Sequence, residues 1–197
     1  YRAKLYAEQE ALSQNRDGLE VVVVNPSLLL GPGDLLGSST GDVRDFLARR
    51  IPAVPAGGVA YVDARDAAEG MALAMERGTA GRRYLLNGSN CTVRSFFARL
   101  ERVSGVKAPV LPMPPGAAVA RVSSAFLERA LKLVGTEPPV HPVSAEMAQL
   151  YWYCDASRAE TELGWTARDP VATLADTVDD LRRADRVPPV RPAHASA

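Results

Sequence analysis

The hydrophobic pattern of the first hundred residues alternates between amphipathic helices and short apolar strands. Residues 2–16 carry Ala, Leu and Glu at helical spacing, and Gly18 ends this predicted helix because glycine readily takes a positive φ. Residues 19–24 form a β-branched run without alternation, which is typical of a strand buried on both faces of a parallel sheet. A helix followed by a buried strand is half of a β-α-β unit.

The pattern then continues in the same alternation. The Pro- and Gly-containing residues 25–34 predict a loop at the carboxyl end of the strand, where open α/β sheets bind their ligands. The next predicted elements are a helix, a strand, a helix capped by Asp63, a strand with a turn, and a helix capped by Thr92, over residues 41–50, 59–62, 63–77, 83–88 and 92–105. This order predicts an α/β fold.

The composition changes from residue 106 onward. Four prolines between residues 109 and 115 predict a stiff connector, and an apolar-rich helix is predicted over 117–134. Charged residues interrupt the apolar surface of that helix, which favours a packed helix or a substrate lid over membrane association. Two final helices are predicted over 155–163 and 170–183, and residues 187–197 are predicted to be a disordered tail.

Composition and charge exclude several classes of protein. The 197 residues include 23 basic and 23 acidic side chains, so we expect no nucleic-acid partner. No uncharged apolar run approaches the roughly 18 residues that a membrane span requires, and the start lacks the order of a signal peptide. Cys91 and Cys154 lack the spacing of a disulfide framework or a zinc site. We therefore expect a soluble cytoplasmic protein without a metal or membrane partner.

Several polar and aromatic residues invite chemical interpretations. Asp63 and Asp66 resemble a general acid/base pair, but both fall in the first turn of a predicted helix, which favours a capping role. The aromatic residues 151–153 favour packing, with an apolar substrate wall as the alternative. His141 and His194 show no pattern of metal ligands, so core, surface or tail roles are favoured.

Five segments in order along nearly the whole chain resemble one family, the extended short-chain dehydrogenase/reductases. The resemblance is greatest to the C-terminal part of the branch with dihydroflavonol 4-reductases, hydroxysteroid dehydrogenases and hopanoid-associated sugar-epimerase-like proteins. The segments are KLYAE at 4–8, NPSLLLGPGD at 25–34, YVDARDAAEG at 61–70, GRRYLL at 81–86, and DASRA with ELGW at 155–159 and 162–165.

The resemblance implies a domain organisation. Residues 1–105 would form the C-terminal half of a Rossmann-type, doubly wound dinucleotide-binding sheet, with 41–70 contributing to the substrate region. Residues 106–186 would form a small, mostly helical substrate-binding region, followed by the tail at 187–197. An ordinary family member would hold on the order of 150 further residues, so a fragment without the cofactor-binding half is expected.

The resemblance also implies an active site that includes Lys4. The family motif is Tyr-x-x-x-Lys, and because Tyr1 precedes Lys4 by only three residues, the catalytic tyrosine would lie one position before Tyr1. In the family this tyrosine exchanges a proton with the substrate oxygen, while the lysine lowers the pKa of the tyrosine and binds the nicotinamide ribose. Pro26, Ser27 and Leu28 would contact the nicotinamide of NADP or NAD, largely through backbone groups.

Two departures from the epimerase pattern indicate the substrate class. Nucleotide-sugar epimerases usually place an Asn at the position of Leu28 and an Arg at that of Val59, where both hold a diphosphate. Their absence favours an oxidoreductase acting on the carbonyl or alcohol of a small, mostly apolar or phenolic molecule. A sugar epimerase or dehydratase with tightly bound NAD and a non-catalytic NAD(P)-binding sensor remain alternatives.

Two further expectations concern assembly and the chain taken alone. Extended family members often dimerise through the helix that begins near Lys4, so we expect a homodimer in the full-length form. Without the phosphate-binding half, the 197 residues alone are expected neither to bind dinucleotide appreciably nor to turn over substrate. The exposed sheet edge predicts aggregation or oligomerisation of this chain.

Overall fold

The computed structural model describes residues 2–16, 18–113 and 147–184, and helices alternate with short strands along them. The predictions for 117–134, His141, His194 and the tail lie outside these residues. None of the described helices is long and apolar enough to cross a membrane. The elements are α1 (Arg2–Ser13), β1 (Val23–Pro26), β2 (Leu28–Leu30), α2 (Gly41–Leu47), β3 (Gly58–Asp63), α3 (Ala64–Arg77), β4 (Arg83–Leu86), β5 (Ser89–Thr92), α4 (Val93–Ser104), a π-helical turn (Ala159–Leu163) and α5 (Pro170–Arg183).

The strands form two small sheets that are mainly parallel. β1 pairs in parallel with β4, with Val23 opposite Arg83. β2 pairs in parallel with β3, with Leu28 opposite Tyr61, and the other edge of β3 pairs antiparallel with β5. Parallel strands joined through helices confirm the predicted α/β class.

The loop predicted over residues 25–34 is wrong in its first half. Asn25 and Pro26 end β1, and after Ser27 the chain forms β2, so the turn begins only at Gly31, where φ is +113°. The backbone N–H of Ser27 donates to the carbonyl oxygen of Leu86 at 2.9 Å, which continues the β1–β4 ladder past the proline. Since Pro26 is the last residue of its strand, its missing N–H interrupts little of the ladder.

The helix starts follow the capping signals in the sequence. The Asp63 side chain accepts a hydrogen bond from the backbone N–H of Arg65, and Thr92 caps α4 in the same way. Gly105 ends α4 in the left-handed conformation at φ +73°. The helix predicted over 155–163 begins as expected but continues as the π-helical turn, which Gly164 ends at φ +71°.

Two hydrophobic clusters hold the elements together. The first joins α2, β2, β3, α4 and α5, and its buried members include Phe46, Tyr61 and Leu174. The second joins β4, α3 and the π-helical turn around Trp165. The indole N–H of Trp165 donates to the carbonyl oxygen of Asp66 at 2.8 Å, so this buried polar atom is satisfied.

Candidate functional site

Lys4 lies on the exposed surface of α1. α1 buries none of its residues, and Glu8, one helical turn after Lys4, is half-buried. The Glu8 carboxylate pairs with the guanidinium of Arg83 at the start of β4 and accepts a hydrogen bond from Asn25 Nδ2 of β1 at 3.2 Å. Because residues four apart share a helix face, Glu8 places the Lys4 side of α1 toward β1 and β4.

The three other predicted cofactor contacts lie together where β1 passes into β2. Pro26 is the last residue of β1, Ser27 lies between the strands, and Leu28 begins β2. The Ser27 hydroxyl donates to Oδ1 of Asn87 at 3.1 Å, and Asn87 directly follows β4. The carboxyl ends of the parallel strands β1 and β4 therefore meet at a polar group, the position where open α/β sheets bind ligands.

A hydrogen-bonded cluster extends from this strand end to the segment after residue 147. Nδ2 of Asn87 and Nδ2 of Asn90 both donate to the carbonyl oxygen of Cys154, at 3.1 and 2.8 Å. The backbone N–H of Cys154 donates in return to Oδ1 of Asn90 at 3.1 Å. The two asparagines thus hold the backbone of Cys154 close to Ser27, which itself bonds to Asn87. Burial raises the pKa of the Cys154 thiol, so this thiol stays protonated at neutral pH.

Leu28 and Val59 occupy the two positions where nucleotide-sugar epimerases usually carry the Asn and Arg that hold a diphosphate. Both residues are partly buried. Their side chains pack against the first hydrophobic cluster. Leu28 faces Tyr61 across the β2–β3 pair, and Val59 lies two residues before Tyr61 on the same side of β3. The two positions themselves are therefore aliphatic, while the neighbouring Tyr61 hydroxyl accepts a hydrogen bond from the Arg99 guanidinium at 3.0 Å.

Asp63 and Asp66 are nearly fully buried and ion-paired. Arg65 binds the Asp63 carboxylate through Nε and Nη2 at 2.8 and 2.7 Å, and reaches Asp176 on α5 at 2.5 Å. Arg168 donates to Asp66 through its backbone N–H and its Nε, both at 2.8 Å. Burial acts to raise the pKa of Asp63, but the hydrogen bonds from Arg65 outweigh it and lower that pKa.

The predicted capping role is confirmed for Asp63 and wrong for Asp66. Asp63 caps α3 through the N–H of Arg65, as its place before the first turn indicates. Asp66 instead binds Arg168, which lies about a hundred residues away along the chain. Neither carboxylate is free to act as a general base, because each already accepts charge-assisted hydrogen bonds.

The loop after β2 is held in shape by Asp34. Its carboxylate accepts hydrogen bonds from the backbone N–H groups of Ser38, Ser39 and Thr40 at 2.9 to 3.2 Å. Burial acts to raise the pKa of Asp34, but these hydrogen bonds outweigh it and lower the pKa to about 2. The loop borders an open cavity of about 240 Å³ and presents two large apolar side chains to solvent. These side chains are Leu35 and Leu36, which are 80% and 92% exposed.

The aromatic residues 151–153 pack against β3 and remain about half exposed. The rings of Tyr151 and Tyr153 meet edge to face at 5.5 Å, directly over Gly58. The indole N–H of Trp152 donates to the carbonyl oxygen of Met147 at 3.0 Å. The predicted packing role is confirmed for the two tyrosines, and a wall of aromatic surface is left open to solvent.

Sequence reasoning missed the polar contacts made across the fold. The Glu8–Arg83 pair, the cluster of Asn87 and Asn90 around Cys154, and the Arg168 contact to Asp66 all join distant segments. Asn87 and Gly88 form a turn dipeptide directly after a strand. This dipeptide is the one local sequence signal at any of these three contacts. Among the described residues, no group of three His, Cys, Asp or Glu could hold a metal ion.

Comparison with known proteins gives relatives along nine tenths of the chain, although no family model matches it. The chain is 35% identical over 183 residues to a Synechocystis protein provisionally named a dihydroflavonol 4-reductase. It is 32% identical over 184 residues to sterol demethylase protein B of Methylococcus capsulatus. Each match covers 90% of this chain but 52% and 54% of the relatives, so the chain spans about half the length of the curated relatives it matches.

Solved structures share the fold. A nucleoside-diphosphate-sugar epimerase from Pseudomonas aeruginosa is 27% identical and superimposes with a TM-score of 0.74, covering 94% of this chain and 55% of its own. More distant structures, 13 to 15% identical with TM-scores of 0.61 to 0.64, were solved with NADPH, NAD⁺ or NADH. At that identity they show likeness of fold alone.

The sequence matches and the structural matches agree with the five motif segments. Each segment falls on a described element or at its end, from α1 to the turn before Trp165. The parallel strands and their flanking helices correspond to the shared fold. The chain therefore belongs to the extended short-chain dehydrogenase/reductases, the NAD-dependent epimerase/dehydratase superfamily, and matches the C-terminal part of their Rossmann-type fold.

Proposed function

We propose that the chain is the C-terminal part of an NAD(P)-dependent oxidoreductase. The enzyme reduces a carbonyl or oxidises an alcohol on a small, mostly apolar or phenolic molecule. The name of the Synechocystis relative supports a reductase of this type, and the length of both curated relatives supports a further half that carries the phosphate-binding turn. Residues 1–105 would complete the cofactor-binding sheet, and 106–186 would bind substrate.

The residues present suit a nicotinamide cofactor, NADP or NAD. Lys4 is exposed, and its ammonium has no ion-pair partner among the described residues. Ser27 lies where the carboxyl ends of the parallel strands β1 and β4 meet. The buried Oδ1 of Asn25 has no hydrogen-bond donor in the described part of the chain, so an acceptor is left for a ligand N–H or O–H group. When bound, the nicotinamide supplies or accepts the hydride.

Each residue of the proposed site has a defined task. Lys4 binds the ribose hydroxyls and supplies positive charge that favours the ionised form of the catalytic tyrosine expected one position before Tyr1. The backbone at Pro26, Ser27 and Leu28 orients the nicotinamide ring. Asn87 holds Ser27 in place, which limits the positions that the ring can take.

The aliphatic surface at Leu28 and Val59 is the observation that carries the substrate class. Both side chains pack into the first hydrophobic cluster, so neither position offers an amide or a guanidinium to a diphosphate. The exposed Leu35 and Leu36 beside the cavity after β2 add apolar surface. This supports an apolar or phenolic substrate over a sugar nucleotide.

The test is a substrate panel for the full-length protein with NADPH and NADH. We expect kcat/KM values for apolar and aromatic carbonyl compounds that exceed those for sugar nucleotides by at least about 100-fold, which corresponds to two missing charge-assisted contacts. Activity confined to sugar nucleotides would contradict the proposal. Retained dinucleotide binding without any turnover would instead indicate a cofactor-binding sensor.

A sugar epimerase or dehydratase that keeps its NAD bound is the second candidate. The observation in its favour is the 27% identity and shared fold with the epimerase of Pseudomonas aeruginosa. Co-purification of NAD with no net consumption during turnover would select this candidate. For either function we propose a cytoplasmic homodimer, in which the exposed Leu5 and Tyr6 of α1 would find a partner surface.

A further inference from the structure

Among the residues that the structure describes, the polar contacts between α1 and the sheet come from a single side chain, that of Glu8. Every residue of α1 is at least partly exposed, so hydrophobic burial within this chain contributes little to holding the helix on the sheet. Among the described residues, the hydrogen bonds and ion pairs from α1 to the strands all involve Glu8. The other side-chain hydrogen bonds of α1 stay within its own last turns, around Glu10 and Ser13.

Glu8 joins α1 to β4 and β1 through its contacts with Arg83 and Asn25, and we call these three residues the clamp. Arg83 contacts one carboxylate oxygen from β4, and Nδ2 of Asn25 contacts the other from β1. The Glu8 side chain is only 17% exposed, so its charge depends on these partners more than a surface carboxylate would. Since β1 and β4 are neighbours in the sheet, the clamp fixes both the position and the rotation of α1.

We propose that Glu8 is a positioning residue for Lys4, acting through its clamp with Arg83 and Asn25. This inference rests on the proposed function, in which Lys4 binds the nicotinamide ribose. Lys4 lies one turn before Glu8 on the same helix face, so a rotation or shift of α1 moves its ammonium directly. A displacement of about 1 Å from a remote change costs on the order of 100-fold in rate.

The test compares Glu8→Gln with Glu10→Gln in the full-length protein. Glu8→Gln removes the charge that Arg83 pairs with, and we expect kcat to fall and the cofactor KM to rise, lowering kcat/KM about tenfold to hundredfold. The KM for the carbonyl substrate should stay unchanged. Glu10→Gln is the matched control, because in the described part of the chain the Glu10 side chain accepts a hydrogen bond from Gln14, directly after α1, and contacts neither strand.

Two further variants separate positioning from simple destabilisation. Arg83→Gln breaks the same pair from the strand side and should reproduce the kinetic change even if Glu8→Gln fails to fold. In a Lys4→Ala background, Glu8→Gln should cause no additional loss of kcat/KM, because its effect passes through Lys4. A further tenfold loss in that background, or an unchanged kcat/KM for both clamp variants, would overturn the proposal.

Hydrogen exchange tests the clamp without reference to activity. In Glu8→Gln the amides of α1 should exchange about tenfold faster, as expected when one charge-assisted contact is lost, while those of α4 keep their rates. Unchanged exchange in α1 would overturn the clamp. If the wild-type protein shows no NAD(P)-dependent turnover but the exchange result holds, the proposed function fails and the clamp stands as a structural feature alone.

Discussion

Asp34 accepts hydrogen bonds from three consecutive backbone N–H groups and thereby fixes the loop after β2. The buried acidic residues Asp63 and Asp66 likewise hold segments together, through Arg65 and Arg168. In each case the carboxylate serves as a fixed acceptor and not as a proton donor. At the residue scale, the candidate chemistry therefore rests on Lys4 and the strand-end groups, and the carboxylates shape the surroundings.

The low pKa of Asp34 makes the stability of the folded protein depend on pH in the acidic range. The pKa falls from its ordinary value of 3.8 to about 2 in the folded protein, so the ionised form stabilises the fold fully above about pH 4. This contribution is lost as the pH falls from about 4 to 2. Asp34→Asn should lower the free energy of unfolding by about 1 kcal/mol at neutral pH, because neutral hydrogen bonds replace charge-assisted ones.

Urea titrations at several pH values measure this difference. The gap between wild type and Asp34→Asn should close as the pH approaches 2. Glu76→Gln, which changes an exposed carboxylate on α3, is the control and should leave the free energy of unfolding within about 0.5 kcal/mol. A gap that stays constant from pH 7 to pH 2 would show that the Asp34 hydrogen bonds do not depend on its charge.

At the scale of elements, close backbone contact joins the segment after residue 147 to β3. The backbone N–H of Gly58 donates to the carbonyl oxygen of Leu150 at 3.0 Å, and the N–H of Trp152 donates back to Gly58. A Cβ atom on the preceding Gly57 would lie 2.3 Å from the carbonyl oxygen of Ala148. Glycine is therefore needed there for close approach, and the contact fixes the segment that leads to Cys154.

Gly57→Ala should destabilise the protein because the clash is with backbone, which cannot rotate away. We expect the free energy of unfolding to fall by about 1–3 kcal/mol in urea titration. Gly41→Ala is the matched control, since a Cβ atom at Gly41 meets no atom within 4 Å. Equal effects of the two substitutions would contradict the close approach.

The elements that could be predicted from sequence are those with local signals. α3 and α4 begin at Asp63 and Thr92, where a side-chain oxygen satisfies an unpaired backbone N–H at the helix start. β2 and β5 were not predicted, because Leu28–Leu30 is too short to show a period and Ser89–Thr92 is mostly polar. Both strands form through pairing with β3, a tertiary contact that local preference does not encode.

In the candidate site, as in the fold, the residues that belong to a sequence motif could be predicted, and the long-range polar contacts could not. Lys4 and residues 26–28 were predicted through a family resemblance, and the structure places 26–28 at one strand end, while their cofactor contacts stay a prediction. The clamp around Glu8 and the asparagine cluster at Cys154 join residues 17 to 75 positions apart. Such long-range polar pairs leave no periodic trace in the sequence.

At the scale of the whole molecule, two hydrophobic clusters support two different surfaces. The second cluster lies under β4 and α3, close to the strand end with Ser27, and the first lies under Leu28 and Val59. In the proposed function, a cofactor side and an apolar substrate side would adjoin at the passage from β1 to β2. The chain spans about half the length of its curated relatives, and we propose that a further half completes the dinucleotide site.

Cofactor balance during turnover tests the proposed function most directly. The full-length protein would be given excess NADPH or NADH with an aromatic ketone, and in parallel with a sugar nucleotide, and both cofactor and product would be quantified. The proposed oxidoreductase consumes one reduced cofactor for each alcohol formed from the ketone and leaves the sugar nucleotide unchanged. Conversion of the sugar nucleotide with no net cofactor consumption, and no reduction of the ketone, would contradict it.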